Sequence, residues 1–460
     1  MPGATKLTAA LPVQVQMGQM PRLWRGSALF FGDLYAIFYG EPEKTRQLQE
    51  SVSGFFGYGG RLIPMLDLLY QGADNVLILQ EHPNPEALAF FSERLGLSLP
   101  DIHVLDHRDY QNFGEGLARN PALSDLLKTH PATDIDGYVT DPQLERIAAT
   151  LNKTVVNSYK ESRDANDKVA LFRFLGEAGL PMFDGGEVPP SELEDALNAL
   201  ADKGYAKAAV RSSLGASGFG VATLDLDPTH PSDLFTALPG HMLMEERLMV
   251  QGWVEPGNRN VKTVTSPSVQ FFTDGNGITL FDLTGQLLRH AAIHEGNVAP
   301  PLDLPGDSGV VNELIEQSKE VVQWVASTGY RGTGSIDYLV YERGKQVEVR
   351  VCEVNARVTG ATYPALLARH FLPGKAWLMR NFGFEPEMGC GGLIDFLESE
   401  NQLFVPGRRE GVLPLNFICD GDGRVVKAQL LFLGGRPERC AEMLGRLSHL
   451  FPEHARYERD

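Results

Sequence analysis

The sequence between residues 334 and 357 constrains the fold of this chain more than any other segment. Two apolar runs, at 334–340 and 347–354, lie on either side of a polar turn at 342–345. Runs of this length and composition, separated by a short turn, predict a β-hairpin. A chain that contains such a hairpin must build part of its fold as an antiparallel sheet.

Four polar residues of this hairpin are candidates for a metal site. Because side chains alternate between the faces of a strand, Glu353, Asn355 and Arg357 should point to one side, beside Asp337 on the partner strand. Carboxylate and amide oxygens are hard ligands that suit Mg²⁺, which takes few protein ligands. A solvated polar face is the alternative. The flanking apolar strands and the Gly/Thr-rich turn at 359–362 favour the metal site.

A loop of small residues within 206–221 joins two further β-patterned runs. It lacks the Gly-Lys-Ser/Thr step into a helix that a Walker loop needs, and it lacks the helix that follows a dinucleotide fingerprint. Glycines let backbone N–H groups approach phosphate oxygens, so this hairpin could lie over a triphosphate while Arg211 supplies a fixed positive charge. Taken alone, the pattern is more often an ordinary tight hairpin.

Two other segments could contribute to the same site. Lys168 stands at the start of a helical pattern over 169–178 and could reach a phosphate, although lone lysines at helix starts are usually solvated. Residues 243–248 indicate an apolar strand that runs into Glu245 and Glu246, and its backbone could pair with an adenine edge. A strand end with exposed charges is the alternative.

Charge and composition limit the possible partners. The chain has 460 residues, with 41 Lys and Arg against 59 Asp and Glu, and a formal charge of −18. Phosphate backbones should be repelled, so we expect no nucleic-acid partner, and a bound nucleotide would need locally placed cations and metal ions. The absence of any run of about 18 apolar residues predicts no membrane partner and a cytoplasmic location.

The region before these hairpins has a different sequence pattern. From 27 to about 154, short apolar runs alternate with helical patterns, which predicts an α/β unit with a partly parallel sheet. The stretch Phe-Phe-Gly-Tyr-Gly-Gly-Arg-Leu at 55–62 indicates a turn into a helix over 62–69 that could face a ligand, and a tight strand-to-helix turn is an equal alternative. Further on, 309–327 predicts an amphipathic helix and 413–433 predicts two strands.

Taken in order, these segments resemble the ATP-grasp superfamily over about 155–385. The Gly-Tyr-Gly-Gly-Arg region resembles a preATP-grasp domain, and the segments at 282–288 and 353–364 resemble the pheganomycin-type peptide ligases. The resemblance implies an ATP-grasp fold of the α/β (α+β) class. It divides the chain into a preATP-grasp domain at 1–155, a subdomain with the glycine-rich hairpin at 156–250, a subdomain with the metal-binding strands at 251–385 and an appended β/α segment at 386–460.

The resemblance also implies an activity. The chain should be an ADP-forming carboxylate–amine ligase that makes an amide or peptide bond through an acyl phosphate, on amino acids or small peptides of specialised metabolism. ATP and two Mg²⁺ ions are the implied cofactors, with Asp337, Glu353 and Asn355 as metal ligands. Arg357, at the acyl phosphate, and Arg211 are the implied catalytic residues. The implied nucleotide-binding residues are Lys168, Arg211, Ser213, Gly215, Ser217, Gly218, Gly220, Glu245, Glu246 and Leu248.

The ribose carboxylate, the reaction class and the oligomeric state have alternatives. Glu246 and Glu255 both qualify to bind the ribose. An ATP-dependent phosphotransferase acting on a small carboxylate, or a non-catalytic nucleotide-binding protein, is the rival to a ligase. A homodimer is an expectation at the level of the family. The candidate contacts with the two substrates are Thr362, Tyr363, His290, His294 and Arg408. A lone His or Arg is more often structural.

Overall fold

The fold is built on three β-sheets. The computed structural model describes residues 10–51, 55–215, 220–226, 238–289, 293–306, 308–384 and 388–450. Within these residues, one sheet has five strands, one has four and one has ten. The mixed α/β class predicted from the sequence is confirmed.

The five-stranded sheet lies in the N-terminal region, and every strand pair in it is parallel. Its strands are β2 (Ala28–Phe31), β3 (Val76–Leu79), β4 (Asp101–Val104), β5 (Asp134–Gly137) and β6 (Thr154–Val155), in the order β4-β3-β2-β5-β6. Its helices are α1 (Pro42–Ser51), α2 (Leu66–Leu69), α3 (Pro85–Ala89), α4 (His107–Gln111), α5 (Phe113–Arg119), α6 (Pro121–Thr129) and α7 (Pro142–Leu151), with 3-10 helices at Leu34–Phe38 and Phe55–Leu62 and a π-helix at Phe90–Arg94. The central strands β2 and β3 are buried along their whole length, as expected for parallel strands covered on both faces.

The glycine-rich stretch at 55–62 differs from its prediction. The structure has a 3-10 helix at Phe55–Leu62 and only one α-helical turn, Leu66–Leu69, so the predicted helix over 62–69 is wrong in its extent. A Cβ at Gly60 would lie 2.5 Å from Asn416 Oδ1. Gly60 therefore permits close packing against a strand far away in sequence, which a local pattern does not show.

The four-stranded sheet is antiparallel and follows in sequence. Its strands are β7 (Gly185–Val188), β8 (Lys207–Ser212), β9 (Val221–Asp225) and β10 (Leu248–Gly252), in the order β7-β10-β8-β9. The helices of this region are α8 (Tyr159–Ala165), α9 (Lys168–Glu177), α10 (Leu193–Asp202) and α11 (Gly240–Leu243), with a 3-10 helix at Pro190–Glu192. Asp167 caps α9 by accepting from the backbone N of Val169 (2.8 Å) and of Ala170 (3.1 Å), so the predicted helix start is confirmed.

The strand predicted over 243–248 is wrong. Gly240–Leu243 forms one helical turn, and β10 begins only after the two carboxylates. Glu245 and Glu246 lie in the turn between these elements. Glu245 Oε2 accepts a hydrogen bond from the backbone N of Ser213 (3.0 Å), so a tertiary contact at the end of β8 fixes this turn.

The ten-stranded sheet contains the remaining strands. They are β1 (Val13–Val15), β11 (Val261–Thr265), β12 (Pro267–Thr273), β13 (Ile278–Arg289), β14 (Ile293–Ala299), β15 (Gly332–Arg343), β16 (Gln346–Asn355), β17 (Ala376–Gly383), β18 (Gly411–Cys419) and β19 (Val425–Gly434). Their order is β11-β15-β12-β13-β14-β17-β19-β18, with β1 beside β13 and β16 beside β15. The helices are α12 (Ser308–Ser327), α13 (Thr362–Phe371), α14 (Cys390–Ser399) and α15 (Pro437–Leu450).

The predicted hairpin, amphipathic helix and C-terminal strands all form in this part of the chain, as β15–β16, α12, β18 and β19. The last two strands continue the ten-stranded sheet, since β19 pairs with β17. The division of the chain at 155, 250 and 385 stays a prediction. Among the described helices, none is long and apolar enough to cross a membrane.

Candidate active site

The hairpin of β15 and β16 brings the predicted metal-binding residues together. Asp337 faces Glu353 across the two strands, and Ser335 faces Asn355. The side-chain amide of Asn355 donates to Asp337 Oδ2 (2.9 Å) and lies 3.3 Å from Glu353 Oε1. Within the described part of the chain, no three His, Cys, Asp or Glu side chains group as a metal site, so this candidate consists of two carboxylates and one amide.

Asp337 is half-buried among neutral donors. Its Oδ1 accepts from Ser268 Oγ (2.6 Å) and Ser335 Oγ (3.1 Å), and its Oδ2 accepts from Asn355. Burial, and then the negative charge of Glu353, raises the pKa of Asp337 above its ordinary value. The carboxylate of Asp337 is therefore positioned by three donors without being neutralised by them.

Glu353, in contrast, lies among three cations. Arg211 forms an ion pair with Glu353 and donates to the backbone O of Cys352 (3.0 Å). Lys168 Nζ lies 3.4 Å from Glu353 Oε2. Burial raises the pKa of Glu353, but the charges of Lys168, Arg211 and Arg357 outweigh this effect and lower that pKa. The predicted phosphate-binding residues of α9 and β8 thus meet the strand that carries the predicted metal ligands, at Glu353.

Arg357 lies outside the strand. Because β16 ends at Asn355, strand alternation does not determine the direction of the Arg357 side chain, although its charge does act on Glu353. Arg357 Nη1 instead donates to Asn166 Oδ1 (2.9 Å). The side chain of Asn166 also accepts from the backbone N of Ala356 (3.0 Å) and donates to the backbone O of Ala356 (3.1 Å). Asn166 therefore fixes the chain just after the strand.

A cleft of about 970 Å³ is lined by strands of both the four-stranded and the ten-stranded sheets. The segment 251–256, at the end of β10 and just after it, contributes Trp253, Val254 and Glu255 to this lining. Glu255 is paired with Lys207 Nζ (3.0 Å). The predicted site residues that line the cleft are Lys168, Arg211, Gly215, Asp337 and Glu353.

The other predicted nucleotide contacts have different positions. Of the two candidates for the ribose carboxylate, Glu255 lines the cleft and Glu246 does not. Residues 217 and 218, predicted as Ser217 and Gly218 of the phosphate loop, lie outside the described residues. The predicted site residues that are described and do not line the cleft are Ser213, Gly220, Glu245, Glu246, Leu248, Asn355 and Arg357.

Lys44 is a residue of this region that the sequence did not reveal. Its Nζ donates to the backbone O of Leu214 (2.8 Å) and lies 3.4 Å from Glu245 Oε1. Glu245 also accepts from the backbone N of Ser213, and Lys168 Nζ donates to the O of Gly215 (3.1 Å). Two lysines and one carboxylate therefore hold residues 213–215 in place. Lys44 lies 170 positions before Leu214, so no local pattern could indicate it.

Two of the candidate substrate contacts, Thr362 and Arg408, form hydrogen bonds with residues close to them in sequence. Thr362 Oγ1 accepts from the backbone N of Thr359 (2.9 Å), which stabilises the turn before α13. Arg408 donates to the backbone O of Asn401 (3.2 Å) and to its side-chain oxygen (2.7 Å). A third candidate, His290, lies outside the described residues.

Tyr363 and His294 belong to a second polar cluster. Tyr363 Oη accepts from Arg61 Nη1 (2.9 Å), and His294 Nε2 lies 2.7 Å from Asn297 Oδ1. Burial lowers the pKa of His294, and the charges of Arg61 and Arg380 lower it further. Arg380 also lines the cleft, so this cluster borders the site.

No protein-family model matches this chain, and no curated protein matches it. Solved structures match almost its whole length. An N5-carboxyaminoimidazole synthetase from Staphylococcus aureus, complexed with ADP, is 14% identical over 94% of this chain and 99% of its own, with a TM-score of 0.52. The biotin carboxylase of Campylobacter jejuni, in a β-γ-ATP complex, is 13% identical over 94% of this chain and 92% of its own, with a TM-score of 0.54.

A third solved structure is the biotin carboxylase domain dimer of Hydrogenobacter thermophilus 2-oxoglutarate carboxylase, in complex with MgADP, ADP and bicarbonate. It is 13% identical over 95% of this chain and 92% of its own, with a TM-score of 0.55. At such identities these likenesses show the fold, and the predicted ATP-grasp fold is confirmed. The resemblance to the pheganomycin-type peptide ligases stays a prediction.

Proposed function

We propose that this chain, which has an ATP-grasp fold, is an ATP-dependent carboxylate–amine ligase that forms an amide through an acyl phosphate. The observation that carries the proposal is the uneven charge around its cleft. Lys168 and Arg211 both approach Glu353, while Asp337 forms no ion pair within the described residues. An anionic triphosphate would satisfy the excess cations, and a divalent cation would satisfy the unneutralised carboxylate.

ATP would lie in the cleft with its phosphates at Lys168 and Arg211. The bond from Lys168 Nζ to the O of Gly215 keeps the loop after β8 beside that amine. The residues 251–256 offer backbone groups and apolar side chains for the adenine base, and Glu255 offers a carboxylate for a ribose hydroxyl. This placement assigns the base to the segment that follows β10, instead of to Glu245 and Glu246.

The residues present at the hairpin fit Mg²⁺. Asp337 and Glu353 are two carboxylates on facing positions of paired strands, and a bound cation would offset their mutual repulsion, which adds to the effect of burial in raising the pKa of Asp337. The amide of Asn355 offers its oxygen when it is turned over, since the two orientations of an amide have the same shape. Mg²⁺ needs few protein ligands because phosphate oxygens supply the rest, and when bound it neutralises charge on the transferred phosphoryl group.

The chemistry requires charge and position, and it requires no protein nucleophile. A carboxylate oxygen of the first substrate attacks the γ-phosphorus, the bond to ADP breaks, and an acyl phosphate forms. The neutral amine of the second substrate then attacks the acyl carbon, and the bond to phosphate breaks; hydrogen phosphate leaves with the proton that the amine loses as the amide forms. Lys168 and Arg211 would stabilise the charge that develops on the phosphoryl oxygens. Arg357, held by Asn166, would steady the acyl phosphate.

The test is ADP release by the full chain with ATP and Mg²⁺. Amino acids, short peptides and bicarbonate are supplied pairwise as carboxylate and amine, and the products are identified by mass spectrometry. We expect ADP release to require both substrates and an amide to accumulate. Release with a carboxylate alone, together with a stable phosphorylated product, would instead identify a phosphotransferase.

A pair of variants links that activity to the hairpin. Glu353→Gln should remove ADP release, because it removes a carboxylate from the cleft without changing its shape. Glu342→Gln is the matched control on the same hairpin, since Glu342 bonds Thr263 at the exposed end of the sheet (3.2 Å). Full activity in Glu353→Gln would contradict the proposal, and a chain that binds ATP but turns over no substrate pair would be a non-catalytic nucleotide-binding protein.

A further inference from the structure

Arg61 lies near the end of the 3-10 helix Phe55–Leu62, within a cage of three tyrosines. Its guanidinium carbon is 4.8 Å from the ring centre of Tyr363 and 5.7 Å from those of Tyr58 and Tyr138. Its Nη1 donates to Tyr363 Oη (2.9 Å). These contacts fix the orientation of the guanidinium but leave its charge in place, because the face of an aromatic ring attracts a cation without carrying a net charge.

No carboxylate neutralises Arg61 within the described residues, where its partners are the three rings and one hydroxyl. Its Nε is buried and has no hydrogen-bond partner. Two arginines that are buried, Arg369 and Arg211, have the carboxylate partners Asp282 and Glu353. Arg61 is half-buried, and shielding part of a guanidinium from water without an anion is costly, so an anionic ligand is the group that would complete this site.

Arg61 borders the reaction site without lining its cleft. The charges of Arg61 and Arg380 both act on His294, and Arg380 lines the cleft. On the other side, Tyr138 of the cage lines the same small cavity as Arg357. Arg61 therefore has neighbours in common with a residue that lines the cleft, Arg380, and with the residue proposed to steady the acyl phosphate.

We propose that Arg61 binds the carboxylate of the amine substrate, which makes that substrate an amino acid or a peptide reacting through its amino group. The inference rests on the proposed ligase function and names its second substrate. A ligase of this kind handles two carboxylates. The one that is phosphorylated must lie at the metal-binding residues and Arg357, whereas the carboxylate of the amine substrate stays ionised throughout the reaction.

A permanently charged guanidinium, held rigid beside the cleft, suits a carboxylate that anchors a substrate and takes no part in the chemistry. Anchoring there would leave the amine free to approach the acyl carbon near Arg357, so the contact would contribute orientation. The carboxylate of Glu295, which also acts on His294, is paired with Arg380 (2.6 Å).

Arg61→Met and Arg61→Lys test this assignment in the full chain. The probes are the common L-amino acids, each compared with its own primary amide, in the presence of ADP and Mg²⁺ and with Tm as the measurement. We expect at least one amino acid to raise Tm more than its amide does, Arg61→Met to remove the difference, and Arg61→Lys to restore part of it. Arg163→Met, which removes an exposed arginine, is the matched control.

Kinetics separate a binding role from a structural one. With the amino acid found in that screen as the amine substrate, Arg61→Met should raise its KM about tenfold to a hundredfold, the range expected for a lost charge-assisted hydrogen bond. The KM for ATP should stay within about twofold, because Arg61 does not line the nucleotide cleft. If Arg61→Met folds poorly, Arg61→Lys and the comparison of acids with amides in the wild type still decide the question.

The two proposals fail in different ways. A panel in which no acid outperforms its amide, or an Arg61→Met variant with the wild-type KM for the amine substrate, would overturn the role of Arg61 and leave the ligase in place. A wild-type protein whose Tm does not respond to ATP and Mg²⁺ would overturn the ligase proposal itself.

Discussion

Two carboxylates of the ten-stranded sheet, the buried Asp282 and the half-buried Asp337, differ in how completely their charge is balanced. Arg369 donates to Oδ1 (2.9 Å) and Oδ2 (3.0 Å) of Asp282, on β13, and Trp377 Nε1 also donates to Oδ2 (3.0 Å); we call Asp282 and Arg369 the closed pair. Asp337, on β15, accepts from neutral groups and has no ion pair within the described residues; we call Asp337 and Glu353 the open site. The same residue type, on the same sheet, is neutralised by the fold in one place and left charged in the other.

The difference separates stability from binding. The charges of a closed pair already neutralise each other, so the pair does not attract a charged ligand. Removing one partner leaves the other charge buried and lowers the folding stability. At the open site, three cations lower the pKa of Glu353 while Asp337 faces it without one, so charge of both signs is left to be satisfied. Substitutions at the two sites should therefore affect different measurements.

The largest effect on stability is expected at the closed pair. Asp282→Asn leaves Arg369 buried without a counter-charge, which should cost about 3–5 kcal/mol of unfolding free energy. Denaturant unfolding measures this, and ADP release per folded molecule should stay near that of the wild type. The double variant Asp282→Leu/Arg369→Met should recover part of the loss, and a single variant as stable as the wild type would remove the distinction between the two sites.

The largest effect on activity is expected at the open site. Asp337→Asn keeps the shape of the side chain and removes a charge that no cation balances, so its unfolding free energy should equal or exceed that of the wild type. ADP release should nevertheless fall about a hundredfold to a thousandfold, the range found when one stabilising group of an active site is removed. Steady-state rates and denaturant curves on the same preparation check both parts. A strongly destabilised but active Asp337→Asn would reverse the comparison.

Ligands should close the open site and leave the closed pair unchanged. ATP with Mg²⁺ at about 100 times its Kd should add about 2.7 kcal/mol to the unfolding free energy, and EDTA should remove the part that depends on the metal. Asp337→Asn should respond to ATP in the same way with and without Mg²⁺. Thermal unfolding measures all three cases, and a metal response that survives in Asp337→Asn would place the metal elsewhere.

The predictable part of this site is local in sequence. The hairpin at 334–357 combines alternating polarity with a short turn, so its pairing of Asp337 with Glu353 follows from strand geometry alone. Lys168 was also within reach, because Asp167 marks the start of its helix. Each of these residues belongs to an element that its own neighbours specify.

The rest depends on contacts between distant parts of the chain. Arg357 is held by Asn166, 191 positions away, and the predicted alternation stops before it. The strand predicted over 243–248 is replaced by a turn in which Glu245 bonds the end of β8. Arg61 was visible only as part of a glycine-rich stretch, since its cage includes Tyr363 from a helix some 300 positions later. Pattern alone cannot supply such pairings.

The smallest effect on the unfolding free energy is expected for a substitution of His294. Burial and the charges of Arg61 and Arg380 lower its pKa below the ordinary value of 6.5, an effect that its contact with Asn297 opposes without reversing. Below pH 6.5 the unfolded chain therefore binds more protons than the folded one at this residue. Its contribution to stability is fully present above that pH and declines as the pH falls towards the folded pKa.

The decline should stay well below the limit for one proton, about 1.4 kcal/mol per pH unit, because His294 is exposed and solvent screens the charges that act on it. His294→Gln should flatten the stability curve over this window, and His449→Gln, in the last turn of α15, should leave it unchanged. Denaturant unfolding at about pH 7.5 and about pH 5.5 measures the slope for each variant. A curve for His294→Gln that parallels the wild type would show that the two arginines do not hold this imidazole neutral, and would weaken the case for an uncompensated Arg61.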